Sequence, residues 1–198
     1  MTNITLRHLV EPPPGYVLAV SFKATEISPE LSGIPDNPGR RPAAKRAATR
    51  GAGRELYEVC LKVPEVRPGV RCPTGEARIT PGFKLPTKFV IHTVGSVYRD
   101  GQHGEPEMLA GCYRNSLAVA IENGCKSVAF PCISTGVYGY PIREAAETPC
   151  SQPLRGACGG GYFREVKAVL ADHPDLEVIF CCFSAGDKAV YESLLNLS

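Results

Sequence analysis

Two hydroxyls and two glycines surround an aromatic side chain in Ser134-Thr135-Gly136-Val137-Tyr138-Gly139, directly after an apolar run, Val128-Ala129-Phe130. Tyr140-Pro141 follows, and then residues 142–147, whose composition suits a helix with Pro141 near its first position. Strand, glycine loop and helix N-terminus in that order can hold a phosphate. Glycines let backbone N–H groups approach an anion, and a helix start offers unpaired donors with a favourable dipole. A tight turn with no ligand carries the same residues, so the pattern leaves both readings open. In the first, Gly136 is needed because a side chain would fill the anion's space, or because its φ is positive.

Other residues with chemical potential form no such pattern. The four histidines are scattered and no C-x-x-C occurs, so no metal site is expected. His92, inside the apolar residues 88–94, reads as a packed, hydrogen-bonded side chain and not as a catalytic one. Gly159-Gly160-Gly161 does not lie between a strand and a helix, which argues against a second phosphate loop. Nine cysteines cannot all pair internally, and with no secretory pattern at the N-terminus they read as free thiols in a reducing compartment.

The elements that must position the loop follow from periodicity. Residues 54–61 place Leu56, Val59 and Cys60 on one helical stripe. Residues 77–80 and 88–94 read as strands. Residues 105–123 form the clearest helix, with Leu109, Tyr113, Leu117 and Ile121 four apart, acidic residues in the first turn and Gly124 as its stop. The strand at 128–133 contains Pro131, which implies a break just before the loop. Residues 176–183 form another strand, and residues 187–195 a helix with Val190, Leu194 and Leu195 inward. Strands alternating with helices predict an α/β fold with a largely parallel sheet covered on both faces, whose ligands sit beyond the carboxyl ends of the strands.

Residues 1–49 differ in character. Residues 16–22, YVLAVSF, can form a strand, but 28–50 carry four prolines and a cluster of arginine and lysine. The expectation is a poorly ordered arm, contributing at best an edge strand. Residues 148–163 combine prolines with the glycine run and read as an inserted surface loop between two pieces of one helix. The division is therefore an arm at 1–49 and a domain at 50–198. A net charge of +2 gives no general argument for nucleic acid, and no apolar run is long enough to span a membrane.

Five segments in this order, CPTGEARIT (72–80), LPTKFVIHTVG (85–95), CYRNSLAVA (112–120), SVAFPCISTGVYGYP (127–141) and EVIFCCFS (177–184), resemble the macro domain family. The closest resemblance is to its branch that handles ADP-ribose and hydrolyses ADP-ribose esters on proteins. The resemblance covers residues 50–147 and 164–195. It implies a three-layer α/β/α sandwich with a mixed sheet, and a diphosphate wrapped by Ser134, Thr135, Gly136, Val137, Tyr138 and Gly139. Tyr138 would stand beside the distal ribose, and Phe183, with Ser184, would meet the adenine. The implied partner is ADP-ribose or an ADP-ribosylated protein, met by an intracellular monomer without cofactor.

The same family pattern includes a Gly-Asp-Ile/Val strand end, an Asn-Ala-Ala-Asn segment and an acidic first glycine loop, and none of these occurs here. No catalytic residue is therefore assigned. Two functions remain open: a hydrolase of ADP-ribose esters, and a non-catalytic or degenerate module that contacts ADP-ribose through its second loop. A nucleic-acid binder using the basic arm rests on composition alone.

Overall fold

The computed structural model describes residues 4–8, 17–21, 51–136, 138–147 and 162–196. Six strands, β1 (Ile4–His8), β2 (Val17–Ser21), β3 (Ala77–Pro81), β4 (Phe89–Thr93), β5 (Ser127–Pro131) and β6 (Glu177–Cys182), form one sheet in the order β1-β6-β5-β2-β4-β3. Every pairing is parallel except β3 with β4. Among the described residues the helices are α1 (Arg54–Lys62), α2 (Glu105–Glu122), α3 (Ile142–Glu147), α4 (Tyr162–Asp172) and α5 (Ala185–Asn196). The fold is a three-layer α/β/α sandwich.

The pleat sorts the core. Val90 packs with Ala52 and Leu56 on one face of the sheet, while its neighbour Ile91 joins the larger cluster on the other. That larger cluster takes Leu109, Tyr113 and Leu117 from α2, Val166 and Leu170 from α4, and Phe180 from β6. Val128, Ala129 and Phe130 of β5 are all fully buried, as are Val178, Ile179 and Phe180 of β6. Strands buried on both faces carry continuous apolar runs, which is why these two were readable from sequence.

Helix α2 ends as its sequence predicts. Gly124 is left-handed, with φ 66, its N–H donates to the Ile121 carbonyl at 3.0 Å, and Cys125 N–H donates to Ala120 O at 2.9 Å. Both bonds belong to a Schellman stop.

Three expectations are corrected. Residues 1–49 supply more than an edge strand: β1 lies at the edge beside β6, but β2 is interior, between β5 and β4. Its register partners, such as Val128 for Val17 and Val90 for Leu18, are far off in sequence, so no local pattern announces them. The remainder of the arm lies outside the described residues. Second, Phe163, assigned to the inserted loop, belongs to α4 and is only 7% exposed. Its ring centroid is 5.0 Å from Phe180 and 5.1 Å from Tyr191, so a deletion of 148–163 would remove a core aromatic. Residues 148–161 lie outside the described residues. Third, Leu194 and Leu195 pack against the core as expected, but the fully buried anchor of α5 is Tyr191, and Val190 is only partly buried.

Candidate functional site

Because β1, β6, β5, β2 and β4 run parallel, their carboxyl ends share one edge of the sheet. From β2 the chain proceeds toward β3 and β4, whereas from β5 it proceeds toward β6. The reversal falls between β2 and β5, where open parallel sheets leave a crevice for ligands. Residues 134–139 leave the sheet at that point.

The base of this loop is held by a side chain that periodicity presents only as part of a helix stripe. The Tyr113 hydroxyl donates to Pro131 O at 3.4 Å and accepts the Ile133 N–H at 3.2 Å. It bridges the place where Pro131, lacking an N–H, ends the ladder. Burial holds the Tyr113 phenol well above its ordinary pKa, so it stays a donor.

Above that base the loop folds on itself. Thr135 Oγ1 donates to Cys132 O at 3.0 Å, Gly139 N–H to Gly136 O at 3.1 Å, and Tyr140 N–H to Ser134 O at 3.0 Å. Gly139 needs to be glycine for its φ of 71. Gly136 does not, because its φ lies outside the left-handed region. Among the described residues, a Cβ added at Gly136 would meet no atom within 4 Å beyond its chain neighbours. Of the two reasons offered for this glycine, a positive φ is thus ruled out.

Ser134, expected at the diphosphate, has features the sequence did not announce. Its φ of 64 is rare for a residue with a side chain, it is 6% exposed, and its Oγ has no hydrogen-bond partner. Backbone strain together with an unsatisfied hydroxyl is the kind of cost that persists at ligand sites. The N–H groups of Ser134 and Gly136 make no hydrogen bond to other described residues. With α3 only six residues long, an anion here would rely on loop amides more than on a helix dipole.

The other residues singled out by sequence lie around this loop. Val137 lies outside the described residues. Tyr138 is half-buried, and its carbonyl accepts the N–H of Tyr98 at 2.9 Å. Phe183, directly after β6, is 44% exposed on the same edge. Ser184 caps α5: its Oγ accepts Asp187 N–H at 3.0 Å and its own N–H donates to Asp187 Oδ2 at 3.2 Å. Its hydroxyl is thus already engaged.

Sequence reasoning missed the β4–α2 loop. Tyr98 sits there, its ring 4.5 Å from that of Tyr140 and its hydroxyl donating to Glu144 Oε2 at 2.6 Å. Beneath it Glu105, 3% exposed, accepts the N–H groups of His103 at 2.6 Å and Arg99 at 3.2 Å. Burial pushes the Glu105 carboxyl up, but these backbone bonds outweigh it and hold the carboxyl below its ordinary value. Asp100, His103 and Glu105 bring three potential metal ligand atoms within 4.8 Å of one another. Their acceptors already serve the loop, since Asp100 Oδ1 takes both Gln102 N–H and His103 Nδ1 at 2.9 Å.

The expected packed role of His92 is seen: it is buried, with Nε2 2.7 Å from Thr80 Oγ1. The described cysteines are unbridged. Burial pushes the Cys72 thiol up to about 12 and the Cys112 thiol to about 11, which keeps both unreactive. Cys132, at the base of the loop, is instead held low by a hydrogen bond from the Cys182 thiol.

Residues 44–148 match the Macro domain family, and the chain belongs to it. It is 47% identical over 150 residues to a macro domain-containing protein of Chlorobaculum tepidum, covering 75% of this chain and 76% of that one. It is 55% identical over 152 residues to the O-acetyl-ADP-ribose deacetylase of Escherichia fergusonii, covering 76% and 77%. Among solved structures, the Oceanobacillus iheyensis macrodomain with ADP superposes with a TM-score of 0.76 at 29% identity, covering 98% of this chain and 89% of that chain. The Trypanosoma brucei macrodomain in complex with ADP-ribose gives 0.71 at 28% identity, covering 98% and 69%. No described helix is long and apolar enough to cross a membrane.

Proposed function

We infer that this chain binds ADP-ribose at the carboxyl edge of its sheet and hydrolyses the ester that joins it to a protein or to a small acyl group. The observation that carries the reading is Gly136, a glycine required neither by φ nor by the atoms of the described residues around it, next to the strained Ser134 with its unpartnered hydroxyl. The diphosphate would take the N–H groups of Ser134 and Gly136, which are open, and would offer an acceptor to the Ser134 hydroxyl. The exposed ring of Phe183 supplies a face for adenine, and Tyr138 a wall for the distal ribose. Solved relatives holding ADP and ADP-ribose, and a deacetylase of O-acetyl-ADP-ribose at 55% identity, support this ligand class.

A second reading is favoured by one observation. The chain contains neither an Asn-Ala-Ala-Asn segment nor an acidic first glycine loop, so no group is assigned to orient the attacking water. Without one, the same edge would bind ADP-ribose and not turn it over. Losing a positioned acid or base costs a factor of about 10² to 10⁴. Turnover of a mono-ADP-ribosylated acceptor, run beside calorimetric titration with ADP-ribose, separates the two. Binding with release of ADP-ribose establishes the hydrolase, binding without release leaves the module, and no heat at all removes both.

A further inference from the structure

The exit of the 134–139 loop is fastened at three successive points by one residue of another loop. Tyr98 N–H donates to the Tyr138 carbonyl at 2.9 Å, its ring lies 4.5 Å from the Tyr140 ring, and its hydroxyl reaches Glu144 Oε2 on α3 at 2.6 Å. Tyr98 is itself anchored. The next N–H along the chain, that of Arg99, is held by the buried Glu105 carboxylate, and Ser96 Oγ donates to Glu105 O at 3.4 Å. The fastened loop is also the one that most needs holding. It carries a positive φ at Ser134 and an exposed glycine at 136, and a chain with that freedom relaxes unless its surroundings fix it.

We propose that Tyr98 is a positioning residue, which holds the diphosphate-binding loop in its ligand-ready form through the Tyr138 carbonyl, the Tyr140 ring and the Glu144 carboxylate. The inference rests on the ADP-ribose reading of the site. Tyr98 need not touch the ligand: it removes loop conformations that the ligand would otherwise have to select against, and so raises affinity by preorganisation. The hydrogen bond to Glu144, followed by burial, pushes the Tyr98 phenol up to about 12, so the tie persists across the physiological pH range.

The test is calorimetric titration of ADP-ribose into the full chain and its variants, with a melting curve for each. Tyr98→Ala loses ring and hydroxyl, and is expected to weaken binding by about tenfold or more. Tyr98→Phe loses only the side-chain hydrogen bond and Glu144→Ala its acceptor, and each should weaken binding roughly two- to fivefold. The variant carrying both should bind no worse than Glu144→Ala alone, because both changes remove the Tyr98–Glu144 bond. Glu144→Gln keeps an acceptor and should recover wild-type affinity, which a role confined to holding the fold together would not require. If Tyr98→Ala fails to fold, the ring-preserving pair and the Gln rescue decide the matter by themselves. Unchanged affinity in all these variants, with lower melting temperatures, overturns the positioning role and leaves the binding site standing. Failure of the wild-type protein to bind ADP-ribose removes the functional reading and this inference together.

Discussion

The loops after β4 and β5 leave the same edge of one sheet, and they are made in opposite ways. In the β4–α2 loop, donors and acceptors meet inside the protein: Glu105 takes two backbone N–H groups, and Asp100 takes one more and the His103 ring. In the β5–α3 loop, a buried hydroxyl and two amides find no partner among the described residues, and a Cβ at Gly136 would meet none of their atoms within 4 Å beyond its chain neighbours. Buried polar groups are nearly always satisfied in folded proteins, and the proposed ligand would complete the inventory of the second loop. In the proposed reading one loop supports and the other receives.

The largest effect expected from this contrast is on affinity. Gly136→Glu should abolish ADP-ribose binding, because it sets a carboxylate against a doubly charged diphosphate. At ~4 Å and an effective dielectric near 20, each such pair costs about 4 kcal/mol, enough to erase micromolar binding. Since a Cβ at Gly136 meets nothing within 4 Å, the melting temperature should barely change. Gly136→Ala should fall between the two, losing affinity by bulk alone. A variant that melts early but binds normally would show the loop to be only a turn.

The supporting loop should answer in the opposite sense, through stability. Glu105→Gln keeps one acceptor but turns an amide NH₂ toward a backbone donor, so the melting temperature should drop. The carboxyl is held below its ordinary value of 4.5 in the fold, by backbone bonds that outweigh the effect of burial. Its contribution is therefore complete above that value and is lost as pH falls through the lower, folded one. Asp100, held below its ordinary 3.8 by the Gln102 N–H and then His103, acts in the same direction. Calorimetric melting from about pH 7 to about pH 3 should show a steep acid decline in the wild type and a shallower one in Glu105→Gln. Parallel declines would mean that the Glu105 bonds do not persist in solution.

How much of this was legible depended on whether the signal was local. The strand at β5, the loop after it, helix α2 and the strand at β6 each carry their pattern within about twenty residues, and sequence reading placed them. The interior position of β2 was hidden, because its partners Val90 and Val128 are distant in the chain and the surrounding prolines and charges argued for disorder. Phe163 was hidden by the glycines before it, and only the aromatic cluster it enters reveals its role. Tyr98 had no signal at all, being one tyrosine in a polar loop. Glu105 was read as a complement to the helix dipole, whereas its carboxylate turns back to organise the loop before the helix. The residues proposed to receive a ligand were visible through their types, and those that support them only through their contacts.

The smallest effect should be the most discriminating. Ser134→Gly removes a side chain from a left-handed position that costs about 1–2 kcal/mol for an L-residue, and it also removes a buried hydroxyl with no partner. Against this, glycine adds roughly 0.5–1 kcal/mol of unfolded-state entropy. The balance favours the variant by about 1 kcal/mol, a rise of roughly 2–4 °C for a chain of this size. If Ser134 were present for stability, no such gain would exist. If instead the hydroxyl is retained to donate to a ligand oxygen, Ser134→Gly should melt higher and bind ADP-ribose more weakly, whereas Ser134→Ala should lose the same affinity while keeping the strained backbone. A protein that gains stability and loses ligand by one substitution is the signature of a site held against its own folding preference. Equal affinity in all three forms would assign the strain to the turn and leave Gly136 as the only residue that the ligand shaped.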